Sequence, residues 1–525
     1  MAVTGAKPQK LFGGWGLVER GPLIMDDIND SLSEAAQIVV DDNPLEPSDT
    51  EARAIAVREF RGVIRSRRKK KKRIPLEHVA PEKVAEFFLR SQVIGDALTI
   101  RFYRDAFWKW ADGRYAELSD SDVRSDVTRW LQRRYERITK GGVGNVLLNV
   151  QAGCAVSSRL DMPCWLDGGD RDAKAWRPDE ILVTRSGVVH LPSLFDGLDR
   201  FAVPSGPSFF NAIATDYDID LKAPKPERWL RFLNELFSDD HESRRLLQEW
   251  LGYLLTRDTK QQKILLMVGP PRSGKGTIGR IIKSLVGDGN CCAPTLAQLA
   301  SEFGMSGLLN KTAAIIGDAR LSARHDLAQV TERLLSVSGE DLQTVNRKHK
   351  ELVTARLPIR FVIVSNELPR FSDASGALAS RLSILKFTRS FLGQEDKGLE
   401  AALEREKAGI VLWAMQGWKL LRDAGRFIEP ASSGALVEQM ADIASPVTAF
   451  VEELCQLGPG SVSTDDLYQA FRQWSERNGI GHPVSKLVFC RDLMAAFPDL
   501  VQVRPGAGAG RKRHLRGISL AEWRD

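Results

Sequence analysis

The stretch Ile264–Ile282, ILLMVGPPRSGKGTIGRII, leaves the backbone few choices. Its apolar run, Ile264 to Val268, predicts a buried parallel strand. A loop follows: Gly269, Pro270, Pro271, Arg272, Ser273 and Gly274, then Lys275. From Thr277 the apolar period Ile278, Ile281, Ile282, Leu285 predicts a helix. Strand, glycine loop, lysine and helix together form a phosphate cradle. Glycines let backbone N–H groups turn inward, the helix N-terminus adds positive potential, and Lys275 can reach β- and γ-phosphates. Gly276 stands where Ser or Thr usually holds Mg²⁺, and Thr277 comes one residue later. A chance glycine-rich turn is the competing reading, and the strand before the loop and the helix after it argue against that.

The chain of 525 residues predicts about three or four domains. With 43% hydrophobic and 27% charged residues it reads as a globular protein. No apolar run approaches the roughly 18 residues of a membrane span, and the start carries no signal-peptide pattern. Six scattered cysteines include no C-x-x-C pair, which argues against a zinc site or disulfide framework and fits a reducing cytosol. The net charge is only +6, but the basic residues cluster, and clusters matter more for nucleic acid than the sum.

Residues 1–78 read as a flexible arm, acidic from Asp26 to Glu51 and then basic from Arg65 to Arg73. A solvated spacer and an arm for nucleic-acid phosphates are equally consistent with it. Residues 79–225 read as an α/β domain. Its expected elements are a hairpin from Ala97 turning at Asp112-Gly113, a helix from Asp120 to Ile138, and a hairpin around Ser186-Gly187. The aromatic residues there suit a core better than base stacking. Residues 226–260 follow Pro224 and Pro226 and read as one amphipathic helical segment, Glu227 to Leu255.

A core from 261 to 394 continues the cradle. Thr312 to Asp318, TAAIIGD, is an apolar strand ending in an acid. Set beside the phosphate loop, that carboxylate can hold Mg²⁺, often through water. Ile359 to Asn366, IRFVIVSN, is another buried strand, and Asn366 can orient an attacking water or serve as a turn cap. Between them, Gly339 to Thr354 alternates on both sides of Arg347, Lys348, His349 and Lys350, which suits a hairpin with a cationic tip. Residues 395–439 read as a helical segment and linker. In 440–525, Ser463 and Ser485 cap two helices, and Val501–Arg504 and His514–Leu520 flank a glycine-rich turn. Two helices and a ribbon match a winged helix, with Arg511, Lys512 and Arg513 crowding the wing. Duplex contact is the direct reading, and winged domains also serve as protein docks.

GPPRSGKGT, TAAIIGDAR, GEDLQTVNRKHK and RFVIVSNELPRFSDASGALASR occur in the order found in superfamily 3 helicases. The chain resembles the phage/plasmid/satellite primase–helicase family, related to the poxvirus primase–helicase, over roughly residues 90 to 525. The resemblance implies an α/β fold: an AAA+-like P-loop motor, with a preceding α/β plus helical domain and a C-terminal winged helix. It implies a homo-hexameric ring in the bacterial host cytosol that hydrolyses ATP with Mg²⁺ between subunits. Single-stranded DNA would run through the pore, and duplex or origin DNA would sit on the winged helix. By that resemblance Lys275 binds phosphate, Asp318 handles Mg²⁺, Asn366 is the sensor and Arg381 is the finger reaching a neighbour's ATP. Lys348 and His349 match the DNA-holding hairpin tip.

Two departures stand out. Ala319 follows Asp318 where relatives often carry a second acid, and residues 1–78 offer no room for a primase domain. A separate primase or initiator is therefore an expected partner. Two rival classes are weighed. GKGT also occurs in nucleoside monophosphate kinases, but a kinase needs neither the basic hairpin nor a second DNA-like domain. In a replicon initiator, ATP would control assembly rather than unwinding, and the single acid suits that reading.

Overall fold

Five strands form a parallel sheet in the order Cys291–Cys292, Ala313–Ile316, Arg360–Ser365, Ile264–Val268, Leu382–Lys386. The computed structural model describes residues 73–521, apart from 167, 169, 171, 318–326, 349, 370, 372–376, 438–445, 478–482 and 504–512. All five residues of Ile264–Val268 are buried, as an unbroken apolar strand requires when both faces of its sheet are covered. Successive side chains point to opposite faces. Leu265 and Met267 pack with Ile278, Ile281 and Ile282 of helix Lys275–Val286. Ile264, Leu266 and Val268 pack on the other face with Val330, Leu334 and Val337 of helix Leu327–Ser338, and with Leu378 of helix Ala377–Arg381.

The strand order corrects one expectation. Ala313–Ile316, which runs toward Asp318, does not adjoin the loop strand; Arg360–Ser365 lies between them. The adjacent strands Ile264–Val268 and Arg360–Ser365 are followed by helices on opposite faces of the sheet. That reversal is a topological switch point, where the carboxyl ends of two strands leave a crevice.

The segment from Glu227 to Leu255 is two helices, Glu227–Phe237 and His241–Tyr253, not one. Ser238 breaks it at φ 45°, and Asp240 restarts it by accepting the Ser243 backbone N–H at 2.9 Å. Helix His241–Tyr253 packs against helix Lys407–Ala424. A Cβ on Gly417 would lie 1.9 Å from the Gln248 carbonyl oxygen, so only glycine lets these backbones approach so closely.

Before the core, helices Pro81–Arg90, Asp120–Gln132 and Lys140–Gly153 pack on a meander of Ile100–Tyr103, Ala106–Ala111 and Arg114–Leu118. The expected hairpin thus has a second turn, at Arg104 (φ 49°) and Asp105 (φ 59°). The expected helix from Asp120 ends at Gln132 and starts from Ser119, which accepts the Asp122 N–H. Ala202–Pro204 joins Ile181–Val183 and Gly187–His190 as a third strand.

The last part pairs Cys455–Ser463 with His514–Leu520, and His514–Leu520 with Val501–Val503. Helices Pro446–Leu454, Thr464–Arg477 and Lys486–Ala496 cover this sheet around Phe450, Phe471 and Phe489. Strand Cys455–Ser463 carries little local strand signal, because Gly458, Pro459 and Gly460 interrupt it. The pairing register shifts there, between Leu457 and Ser461, as a bulge. No helix among the described residues is long and apolar enough to cross a membrane.

Candidate functional site

The loop leaves strand Ile264–Val268 through Gly269 at φ 154°, turns at Arg272 (φ 58°) and reaches Gly274 (φ 90°), the N-cap of helix Lys275–Val286. Gly274 has no side chain to cap the helix, and the first turn carries no acid. The unpaired N–H groups and positive end of the helix dipole therefore face the loop without an internal counter-charge. Lys275 is only 5% exposed. Its Nζ donates to the Gly269 carbonyl at 2.6 Å, the Pro270 carbonyl at 2.8 Å and Ser273 Oγ at 3.1 Å. Burial holds its ammonium below the usual lysine range, because a charge is costly away from water. An incoming polyanion would push it back up.

The far half of the loop and Lys275 open onto a cleft of about 600 Å³ at the switch point. Pro271, Arg272, Ser273, Gly274, Gly276 and Thr277 form its floor with Lys275. Asn366, exposed at the end of strand Arg360–Ser365, faces it from the neighbouring strand. The Thr277 hydroxyl accepts from Arg280 Nη2 at 3.3 Å. Asp318 lies outside the described residues. No group of three or more His, Cys, Asp or Glu suited to a metal occurs among the described residues. Mg²⁺ needs no such group, since it keeps waters and is bound by one or two protein ligands plus substrate phosphates.

Sequence reasoning missed part of this cleft. The missed residues are Arg228, Arg280 and three acids: with Arg272 of the expected loop, these arginines ring the cleft, Arg228 pairing with Asp396 at 3.0 Å, Arg272 with Glu395 at 3.7 Å and Arg280 with Glu400 at 3.1 Å. Arg228 sits on helix Glu227–Phe237, far from the loop in sequence, and no local pattern marks it. The acids come from a short segment before helix Leu399–Arg405 and from its start; residues 395–398 are not helical, although the apolar pattern predicts a helix from 395.

Arg381 does not line the cleft. It ends helix Ala377–Arg381, and its Nη1 donates to the Leu335 carbonyl and, at 3.0 Å, to Ser338 Oγ. In this chain the guanidinium caps the C-terminus of helix Leu327–Ser338. Arg381→Ala is therefore expected to destabilise the fold by about 1.5–3 kcal/mol, the range for hydrogen bonds to a charged group. Thermal unfolding checks this, and an unchanged melting temperature would remove the capping role.

The basic hairpin pairs Gln343–Val345 with Val353–Ala355. Val345 and Val353 are buried, whereas Lys348 and Lys350 are exposed at the tip. Arg347 donates through Nε and Nη2 to the Glu351 carbonyl, both at 3.2 Å. Lys350 pairs with Glu117 of the meander. His349, Arg511 and Lys512 lie outside the described residues. Arg513 is exposed, and its carbonyl accepts the Thr464 N–H at 2.8 Å.

Residues 267–381 match the model of a protein family described as "Family of unknown function (DUF5906)". The match runs from the loop strand through Arg381. Among solved structures, the chain is similar to the apo structure of the NrS-1 C-terminal region, with 12% identity, 84% of this chain and 99% of that chain covered, and a TM-score of 0.50. A second apo form of that region aligns at 13% identity over 84% of this chain and 100% of that one, with a TM-score of 0.47. The first of these likenesses shows a shared fold: mixed α/β, with the parallel five-stranded sheet at its centre.

Proposed function

We propose that this chain is an ATP-dependent DNA motor of phage, plasmid or satellite replication. In this reading it is an AAA+-like P-loop ATPase that assembles as a ring, most simply a hexamer, and moves along single-stranded DNA. The observation that carries the reading is the buried Lys275 ammonium at an uncapped helix N-terminus, in the switch-point crevice. Such a site suits a polyphosphate, whose charged oxygens can exchange for the loop carbonyls that now hold the ammonium.

In this reading Lys275 and the loop N–H groups hold the phosphates. Asn366 orients the attacking water, since it comes from the strand next to the loop strand. Thr277 and Asp318 would hold Mg²⁺, which neutralises charge building up on the transferred phosphoryl group. An arginine from a neighbouring subunit would complete the site. Arg381 serves only if ring assembly draws it off helix Leu327–Ser338. The last part of the chain is read as a winged helix for duplex or origin DNA.

The hairpin tip separates a motor from its rivals. Phosphate contacts by Lys348 and His349 read no bases, so binding should be sequence-tolerant and salt-sensitive. The double variant Lys348→Ala, His349→Ala is expected to lose the DNA-stimulated part of ATP turnover and to fail to unwind a forked duplex. Wild-type unwinding by that variant would overturn the translocating hairpin. ATP turnover without unwinding by the wild-type chain would instead support the initiator reading, in which ATP controls assembly.

A further inference from the structure

Beside the hairpin tip lies a second cleft, of about 350 Å³, between the core and the meander. Arg104, Arg347, Lys348 and Lys350 line it, with Asn310 as a neutral polar neighbour. Glu117, on strand Arg114–Leu118, is the acid in that lining, and it pairs with Lys350 across 233 residues of sequence. Arg104 is anchored from behind: it donates to Asp161 at 2.6 Å and lies 4.8 Å over the Tyr103 ring. Lys348 forms no ion pair or hydrogen bond among the described residues and is exposed. The cleft is thus a cationic groove whose lining holds one carboxylate, Glu117 on Lys350, while Asp161, outside that lining, holds Arg104.

We propose that this groove takes a backbone phosphate of single-stranded nucleic acid, and that Glu117 stands in for that phosphate until the strand arrives. The meander domain would then supply one wall of the nucleic-acid site and also hold the hairpin tip in its resting place. The chemistry supports this. A carboxylate and a phosphodiester compete for the same ammonium, and an ion pair partly exposed to water is weak enough to exchange. A phosphate seated on Lys350 would face Arg104 and Lys348 as well, so it gains cations that Glu117 does not reach. The inference rests on the DNA-motor reading, because it assigns the hairpin tip to a nucleic-acid backbone.

The test measures binding of fluorescent oligodeoxythymidylate to the full chain at several salt concentrations. Glu117→Gln is expected to tighten binding about three- to five-fold, the effect of freeing one exposed ion pair. The salt dependence should also steepen by about 0.7 in log–log slope, because freed Lys350 gathers a counterion that the strand must release. In the double variant Glu117→Gln, Lys350→Gln the gain should vanish, leaving the affinity of Lys350→Gln alone. A gain that persists without Lys350 would reflect overall charge and overturn the proposal, as would unchanged or weaker binding by Glu117→Gln. Because Glu117 is partly exposed, Gln should fold, and matched thermal unfolding verifies it. If the wild-type chain bound no single strand at all, the DNA-motor reading itself would fail. If the wild type binds and Lys348→Ala weakens it while Glu117→Gln changes nothing, only the Glu117 proposal fails.

Discussion

Lys275→Ala is expected to abolish ATP turnover, with a loss of at least about a hundredfold in rate, comparable to removing a preorganised donor to developing charge. The physical reason lies in how the ammonium is held. It is buried, and its present partners are two loop carbonyls and the Ser273 hydroxyl. A γ-phosphate offers a full negative charge in place of those neutral acceptors, so the gain on binding is large where water is scarce. Alanine removes the counter-charge and leaves the Gly269 and Pro270 carbonyls without their donor. Folding should suffer far less than turnover, because removing a buried ammonium also removes its desolvation cost. Steady-state hydrolysis alongside thermal unfolding separates the two effects. Wild-type turnover by the variant would sink the cradle. The pH dependence carries a matching sign. Folding has lowered the Lys275 pKa and phosphate would raise it, so ATP affinity should weaken as pH climbs through the lowered value.

Gly269→Ala is expected to be the most damaging conservative change in the loop. An added Cβ would lie 2.2 Å from the Phe387 carbonyl oxygen and 2.6 Å from its Cβ, both fixed atoms rather than the end of a flexible side chain. Phe387 cannot retreat easily. Its N–H donates to the Val268 carbonyl at 2.7 Å, and its ring is 3% exposed in the core. Relief requires prising apart the ends of two strands, at a cost of about 3 kcal/mol or more. The φ of 154° adds backbone strain for any residue with a Cβ. The variant should melt well below wild type and bind nucleotide poorly. Gly276→Ser, at the start of the helix that follows the loop, provides the contrast. There a Cβ would meet only Arg280 Nη1, at 3.6 Å, so serine fits, and it should steady the helix by a few tenths of a kcal/mol over glycine. Equal melting temperatures for the two variants would refute the steric account.

Local composition carried much of this architecture. Ile264–Val268 had to be a strand buried on both faces, because an unbroken apolar run of that length has no polar face to show water. The glycines, Lys275 and the apolar period after Thr277 placed a helix N-terminus at the loop, and alternation around Arg347–Lys350 placed a hairpin. These are short-range properties, and a window of a dozen residues contains them. Sheet order is not. Strand Ala313–Ile316 sits one place further from the loop strand than expected, because strand neighbours are chosen by which pairings let helices cover both faces. Nor could local pattern show Arg228 meeting Asp396, Arg381 capping a helix of its own chain, or Glu117 seated on Lys350. Each joins residues far apart in sequence, and charge is legible in a sequence while the partner that meets it exists only once the chain has folded.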